Sequence, residues 1–289
     1  MIRVIDNREI DRQQWDSLIT ASQCSEVYAY SWFLDIVAPE WKGIVVDDYR
    51  IVFPLPVKTK FGFHYLVQPI FSQQYGIYSQ KEPSASEREE IKTIISQYKY
   101  IRISLSTSLF GGERVRQNFE LALSKPYEKL YEQFAQNTKH NIRSAQIHAH
   151  SCFQQFENKV DVWKTYMQKV GDSLYNRKEV EQLLRNEHSE MYVVTNEKSE
   201  VNAIAVFFKT NKKLYYLFPV SREEGKRTKA MFLLLDFVIQ KYAGTNVSID
   251  FEGSENPGIS RFYKGFGAEN KPYYYYERCV LPFLSKVIK

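Results

Sequence analysis

The segment from Asp250 to Glu269 reads DFEGSENPGISRFYKGFGAE. It contains the end of a strand, a turn rich in Gly, Ser, Asn and Pro, a short helix opened by Pro257, and the start of another strand. Carboxylates, an asparagine and a tyrosine stand in it at set intervals, and loops of this kind often carry function. The pattern indicates either a functional site or a turn whose Gly, Asn and Pro residues serve only to end the strand and begin the helix.

The composition is that of a globular protein with more than one domain. The chain has 289 residues, which suits two domains of roughly 100 to 150 residues. Its 44% hydrophobic and 25% charged residues exclude collagen-like, low-complexity and mostly disordered chains. A net charge of +5 permits an anionic partner without requiring one.

Cysteine usage and the N-terminus predict a cytoplasmic protein without a membrane span. Cys24, Cys152 and Cys279 are odd in number and far apart, which favours neither disulfides nor a zinc site. The N-terminus is charged from its third residue and the apolar runs are short, so no signal peptide is expected. His148 and His150 lack a third ligand at metal spacing, and we expect no metal.

Periodicity predicts two α/β domains. Residues 1–123 read as a strand, two helices, several strands, a helix and two further strands, the last being residues 114–123. The break at Ser124 to Pro126 predicts domains 1–124 and 125–289. The second half reads as a long helix over residues 127–150, two helices, three strands, a helix over 226–243, a strand, a short helix and a last strand over 271–281. This order predicts a mixed α+β sheet with helices on its faces.

A second candidate site precedes the last long helix. A strand ends at Pro219, and a polar loop leads to a helix start bearing Lys226, Arg227, Thr228 and Lys229. Such a start is either a phosphate cradle or a solvated basic turn. Its REEGKR resembles the pyrophosphate loop R/Q-x-x-G-x-G/A of the GNAT acyltransferases. Arg222 and Gly225 match, whereas Arg227 replaces the second small residue. The resemblance implies that residues 225–229 bind acyl-CoA as a co-substrate.

The opening segment resembles a later GNAT motif, N-x-x-A-x-x-x-Y-x-K-x-G-F/A. Asn256, Tyr263 and Gly267 match it, with Ile259 at the alanine position. The resemblance implies that Asn256 contacts the pantetheine arm, with Phe262 among the cofactor contacts, and that Tyr263 protonates the departing thiolate. A positioned phenol can perform that chemistry. Tyr263 could equally be an aromatic residue on the buried face of a short helix.

The same segment also resembles the Fem-type aminoacyl transferases, which have tandem GNAT-like domains and use aminoacyl-tRNA to extend peptidoglycan cross-bridges. Their motif is similar to DFxG...G-L-x-x-F-K-x-x-F-G, and the matching residues are Asp250, Phe251, Gly253, Gly258, Phe262, Phe266 and Gly267. The helix FAQNTKHNIRSAQ resembles the R-x-x-I-R-K-A region of that family. Tyr263 stands where the family has a lysine, and the long helical arm of many members is missing.

Two further groups of residues are candidates for the site. Strand alternation puts Asp250 and Glu252 on one face, where either could accept a proton from an amine, with Glu252 preferred at the strand end. The alternative is that they cap the following turn. Lys139, His140 and Arg143 either face a phosphorylated or nucleic-acid substrate or form a solvated helix face.

Together these features predict two tandem GNAT-like acyltransferase domains, the second carrying the site. The leading hypothesis is N-acyl transfer from acyl-CoA to a small-molecule or peptide amine. The alternatives are Fem-like transfer from charged tRNA to a peptidoglycan precursor, and a non-catalytic GNAT-fold binding module.

Overall fold

The computed structural model describes residues 1–171, 174–175 and 177–280. The chain forms two compact units. Unit 1 contains residues 1–116 and the C-terminal segment from Pro272, and unit 2 spans Gln117–Lys271. In the described ranges, no helix combines the length and apolarity needed to cross a membrane.

Unit 1 contains two sheets and three α-helices among its described residues. The first sheet has the order β1-β2-β3-β6, from β1 (Ile2–Asp6), β2 (Lys42–Val46), β3 (Ile51–Leu55) and β6 (Tyr78–Ser79). The second has the order β4-β5-β7-β16-β8, from β4 (Val57–Lys60), β5 (Phe63–Val67), β7 (Tyr100–Leu105), β8 (Arg114–Arg116) and β16 (Tyr273–Cys279). The helices are α1 (Arg12–Ala21), α2 (Ser31–Val37) and α3 (Ala85–Ile95).

Local sequence signals explain where the helices of unit 1 begin. The Asp11 side chain accepts a hydrogen bond from the backbone N–H of Gln14 at the start of α1. Ser84 and Glu87 form a capping box at the start of α3, as the serine before acidic residues predicts.

Unit 2 is built on one mixed sheet with the order β10-β11-β12-β13-β14-β9-β15. Its strands are β9 (Phe119–Ala122), β10 (Ser151–Gln155), β11 (Ser189–Thr195), β12 (Val201–Lys209), β13 (Lys213–Ser221), β14 (Ser248–Asp250) and β15 (Glu269–Asn270). Its helices are α4 (Tyr127–Gln133), α5 (Gln136–His148), α6 (Lys159–Val170), α7 (Lys178–Arg185), α8 (Glu223–Arg227), α9 (Ala230–Tyr242) and α10 (Pro257–Gly265). Strands β13 and β14 run parallel, and the other neighbours run antiparallel.

The unit boundary differs from the expected division at residues 124 and 125. Residues 114–123 form two strands in different sheets, β8 and β9, and the chain changes unit at Gln117. The last strand, β16, pairs with β7 and β8 of unit 1 rather than with the second domain. Strand alternation carries no information about pairing partners, which explains both corrections.

Two expected helices are each divided, and one strand is new. Helix 127–150 breaks at Phe134, whose ψ is 138°, and the next N–H, that of Ala135, donates to the Gly265 carbonyl at 2.8 Å. Helix 226–243 breaks at Lys229, whose φ is +60°. Residues 151–155, for which the sequence pattern predicts no element, form the edge strand β10. At Phe134 this tertiary contact overrides helix propensity.

Candidate functional site

The sheet of unit 2 splits at the carboxyl ends of its parallel strands. β13 and β14 pair as far as Tyr215 and Asp250, and β13 then continues to Ser221. Beyond Asp250 the chain stays beside β9, because the N–H of Phe251 donates to the Phe119 carbonyl at 2.9 Å. Ligands of open α/β sheets bind at such carboxyl ends, so the split is the candidate site.

A bulge in β13 lies at the same level. Phe207 of β12 pairs with Tyr216, whereas Val206 pairs with Phe218, so Leu217 is an extra residue in β13. A bulge bends its strand and increases the local twist. β13 therefore changes direction where β14 ends.

Tyr263 joins the hydrophobic core by its ring. The side chain is 7% exposed and stacks on Phe251 with ring centroids 4.6 Å apart and planes at 19°. Tyr216 of β13 makes edge contacts with both rings, with centroids 5.8 Å from Phe251 and 6.3 Å from Tyr263. Helix α10 therefore carries Tyr263 to the split between β13 and β14.

The electrostatic surroundings keep the phenol of Tyr263 protonated. Burial is the main cause that raises the pKa of Tyr263 well above its usual value, and the carboxylates of Glu252 and Asp250 add to it. Burial also raises the pKa of Tyr216, with Tyr263 and Tyr175 as further causes. The hydroxyl of Tyr263 is thus a neutral hydrogen-bond donor across the physiological pH range.

Asp250 is a buried, fully engaged carboxylate. It is 0% exposed, and its Oδ2 lies 3.4 Å from the Nζ of Lys213, which also pairs with Glu120 at 2.6 Å. Its Oδ1 accepts the backbone N–H of Glu252 at 2.9 Å. Burial raises the pKa of Asp250, while Lys213 lowers it. These contacts hold the backbone that positions Glu252.

Glu252 occupies an unusual backbone conformation at the end of β14. Its φ is +65°, in the left-handed region that non-glycine residues avoid. The next residue, Gly253, has φ +64°, and a Cβ there would lie 2.0 Å from the Gln117 carbonyl oxygen. Backbone strain of this kind clusters at functional sites. Of the two expected carboxylates, Glu252 is the partly exposed one and Asp250 the buried one.

Asn256 begins helix α10. Its Oδ1 accepts the backbone N–H of Gly258 at 2.8 Å and of Ile259 at 3.4 Å, and Pro257 follows at the first helical position. The oxygen of this side chain is therefore occupied by capping.

The expected phosphate loop folds into the short helix α8. A Cβ on Gly225 would lie 2.0 Å from the Asn202 carbonyl oxygen, so the glycine permits α8 to pack on β12. Lys226 and Arg227 are exposed and pair within the helix with Glu223 and Glu224, both at 2.6 Å. Thr228 is buried and donates to the Glu224 carbonyl at 2.8 Å, and Lys229, at the left-handed break before α9, is exposed.

The remaining candidates lie on α5 and α10. Lys139 lies 5.3 Å from the centre of the Tyr131 ring, and its Nζ donates to the Glu132 carbonyl at 3.1 Å. Arg143 is exposed on the same helix. Phe262 packs against Phe232 of α9 with ring centroids 4.7 Å apart, so it contributes to the core of unit 2.

The structure adds residues that the sequence did not single out. Tyr216 contacts Tyr263 at the split, Tyr175 contacts Phe218 of β13, and Lys213 pairs with both Glu120 and Asp250. Within the described ranges, no group of three His, Cys, Asp or Glu side chains is arranged to hold a metal ion. No sequence signal marks these residues, because they come from parts of the chain that are distant in sequence from Asp250 and Tyr263.

Comparison with known proteins shows the fold. No family model and no curated protein matches the chain. The crystal structure of FemX matches with a TM-score of 0.67 at 11% identity, over 99% of this chain and 100% of that chain. The C-terminal domain of a putative lysylphosphatidylglycerol synthetase from Agrobacterium fabrum matches at 0.61 and 10%, over 98% and 96%.

A third match is a conserved protein of unknown function from Bacteroides thetaiotaomicron, with a TM-score of 0.61 at 9% identity, over 95% of this chain and 98% of that chain. These matches extend along nearly the whole chain rather than over one unit. The sequence-based expectation for the fold is confirmed: the chain has a tandem GNAT-like fold, which the FemX structure shares.

Proposed function

We propose that this protein is a Fem-type transferase, which moves an aminoacyl group from the oxygen ester of a charged tRNA to an amine. The observation that carries the proposal is the position of Tyr263, whose ring stacks on Phe251 where β13 and β14 separate and whose hydroxyl lies in the field of Glu252. From the resemblance to the Fem-type transferases, we infer that the acceptor amine belongs to a peptidoglycan precursor.

The reaction needs two proton transfers, and the site contains a group for each. The amine attacks the ester carbonyl and gives a proton to Glu252 as its C–N bond forms. The C–O bond then breaks, and Tyr263 donates its proton to the departing ribose oxygen. The proton on Glu252 returns to the phenolate, so the products are an amide and an uncharged tRNA hydroxyl. Asp250 acts as a positioning residue through the N–H of Glu252.

The acidity of Tyr263 favours an oxygen leaving group over sulfur. A thiol has a pKa of about 8.5, so a departing thiolate gains little from a much weaker acid. An alkoxide is far more basic and takes a proton even from a phenol whose pKa is raised. The direction of the Tyr263 pKa shift therefore matches an ester donor better than the thioester of acyl-CoA.

The geometry of α8 also supports this choice of donor. In the expected coenzyme A loop, the Asn202 carbonyl occupies the space in which a side chain at position 225 would lie. Lys226 and Arg227 are paired with acidic neighbours in their own helix. Neither feature favours a pyrophosphate at this loop.

Acyl-CoA remains the second candidate donor because of β13. This strand runs past the end of β14, from Tyr216 to Ser221, and an extended arm with amide groups can bind along such a strand edge.

A donor assay tests the proposal. We expect charged tRNA to bind with an affinity that falls as salt rises, and a labelled amino acid to pass from it to an amine acceptor. The variant Glu252→Gln should bind the tRNA equally and transfer more slowly. Turnover of an acyl-CoA without tRNA binding at low salt would refute the proposal in favour of the second candidate.

A further inference from the structure

The hairpin between β4 and β5 projects from the second sheet of unit 1. β4 pairs with β5 from Val57 and Leu66 to Lys60 and Phe63, whereas β5 pairs with β7 only at Leu66 and Val67. The three residues before Leu66, which are Phe63, His64 and Tyr65, extend the tip by about 10 Å beyond the pairing of β5 with β7. Residues 58–64 are all exposed.

The tip presents two aromatic rings. Phe61 is 77% exposed and Phe63 is 44% exposed. Rings of this size dominate the energetics of the surfaces that bury them, so their exposure at a projecting turn indicates a partner.

The backbone of the turn gives a second, independent indication. Phe61 and Gly62 are its two central residues, with φ of +50° and +76°. A two-residue hairpin turn with positive φ at both positions strongly prefers Asn or Asp before Gly. A phenylalanine there is strained, and such outliers persist where they serve a function.

The charge of the hairpin is uniformly positive. Lys58 and Lys60 are exposed on β4, and no Asp or Glu occurs from Val57 to Val67. In the strand register Lys60 is paired with Phe63, so cation and ring share one face. Aromatic rings flanked by lysines are the combination that inserts into the boundary of an anionic bilayer.

We propose that this hairpin, defined by Lys58, Lys60, Phe61 and Phe63, binds the surface of an anionic lipid membrane. The two rings enter the headgroup boundary, and the two lysines contact lipid phosphates. A projection of about 10 Å matches the shallow depth at which interfacial segments sit.

Vesicle binding by the full chain tests this proposal. The protein should sediment with vesicles of phosphatidylcholine and phosphatidylglycerol, and much less with phosphatidylcholine alone. Phe61→Asn should lower the partition coefficient about tenfold, because it removes a ring that becomes buried when the hairpin binds the membrane. Lys58→Gln and Lys60→Gln should each lower it about fivefold, and only with the anionic lipid.

The Asn variant separates binding from folding. Asparagine adopts positive φ readily, so Phe61→Asn should unfold at the same or a higher temperature than the wild type. Phe156→Asn, which removes a ring 74% exposed in unit 2, is the matched control and should bind vesicles like the wild type. Vesicle binding by Phe61→Asn equal to that of the wild type would overturn the proposal. Because no transfer reaction is measured, the outcome is independent of the proposed activity.

Discussion

Tyr263 combines a core residue and a candidate acid in one side chain. Its ring packs on Phe251 and Tyr216, while its hydroxyl lies in the field of Glu252. The sequence left these two interpretations as alternatives, and the structure makes them compatible. Spacing alone placed Tyr263 on the helix, but the direction of its pKa shift depends on burial, which no local pattern reveals.

Gly225 illustrates the opposite case. The residue matches a family loop by sequence, yet the contact it permits is with the Asn202 carbonyl of its own sheet. A glycine in a sequence indicates that another group lies close to its backbone, but it does not identify that group.

Asp236 of α9 gives a pH-dependent prediction. The carboxylate is 5% exposed and accepts the hydroxyl of Tyr127 at 2.8 Å, and burial raises its pKa from 3.8 to about 6. The folded protein therefore holds this proton to higher pH than the unfolded chain does. The contribution of Asp236 to the free energy of unfolding is most favourable below pH 3.8 and declines as the pH rises through about 6.

Asp236→Asn should remove that decline. The free energy of unfolding of the variant should match that of the wild type near pH 4 and exceed it above pH 6 by on the order of 3 kcal/mol. Urea unfolding at several pH values measures the difference, with Asp161→Asn, an exposed change on α6, as the control. A constant difference between Asp236→Asn and the wild type across this range would contradict the account.

Among the elements, those with strong local signals were predictable. The strand, turn and helix around Pro257 follow from alternation, capping residues and proline placement, and β14 and α10 lie where these signals put them. The breaks at Phe134 and Lys229 and the edge strand β10 were not predictable. The break at Phe134 and strand β10 depend on contacts with residues that are remote in sequence, and the left-handed backbone of Lys229 is marked by no local pattern.

Asn256 allows a test at the level of one helix. Its side chain caps α10, so Asn256→Ala should lower the free energy of unfolding by about 1 kcal/mol, and Asn256→Ser should restore most of the loss. Chemical unfolding measures both values. If Asn256→Ala is as stable as the wild type, the capping role is wrong. If Asn256→Ser regains the stability of the wild type but binds the donor more weakly, the Asn256 side chain contacts the donor as well.

For the whole molecule, the tandem fold was predictable from two motif resemblances and the order of elements. The exact division was not, because β9 and β16 join sheets that the linear order does not indicate. β9 lies between β14 and β15 and so supports the backbone of the candidate site.

This division predicts which fragment folds. Residues 117–271 contain every strand of the unit 2 sheet, and we expect this fragment to unfold cooperatively. Residues 125–289 lack β9 and carry β16, whose partners are in unit 1, so this fragment should aggregate or remain unfolded. Circular dichroism during heating distinguishes the two, and a cooperative transition in the second fragment alone would contradict the division.

The leaving-group dependence of transfer tests the central claim most directly. The wild type and Tyr263→Phe each receive the same acyl group as an oxygen ester on tRNA and as a thioester on coenzyme A, with a common amine acceptor. Single-turnover rates are measured, with Tyr242→Phe, which removes a hydroxyl bonded to Glu190, as the control. The account predicts that Tyr263→Phe slows transfer from the oxygen ester about a hundredfold and from the thioester far less. An unchanged rate with the oxygen ester, or equal losses with both donors, would contradict it.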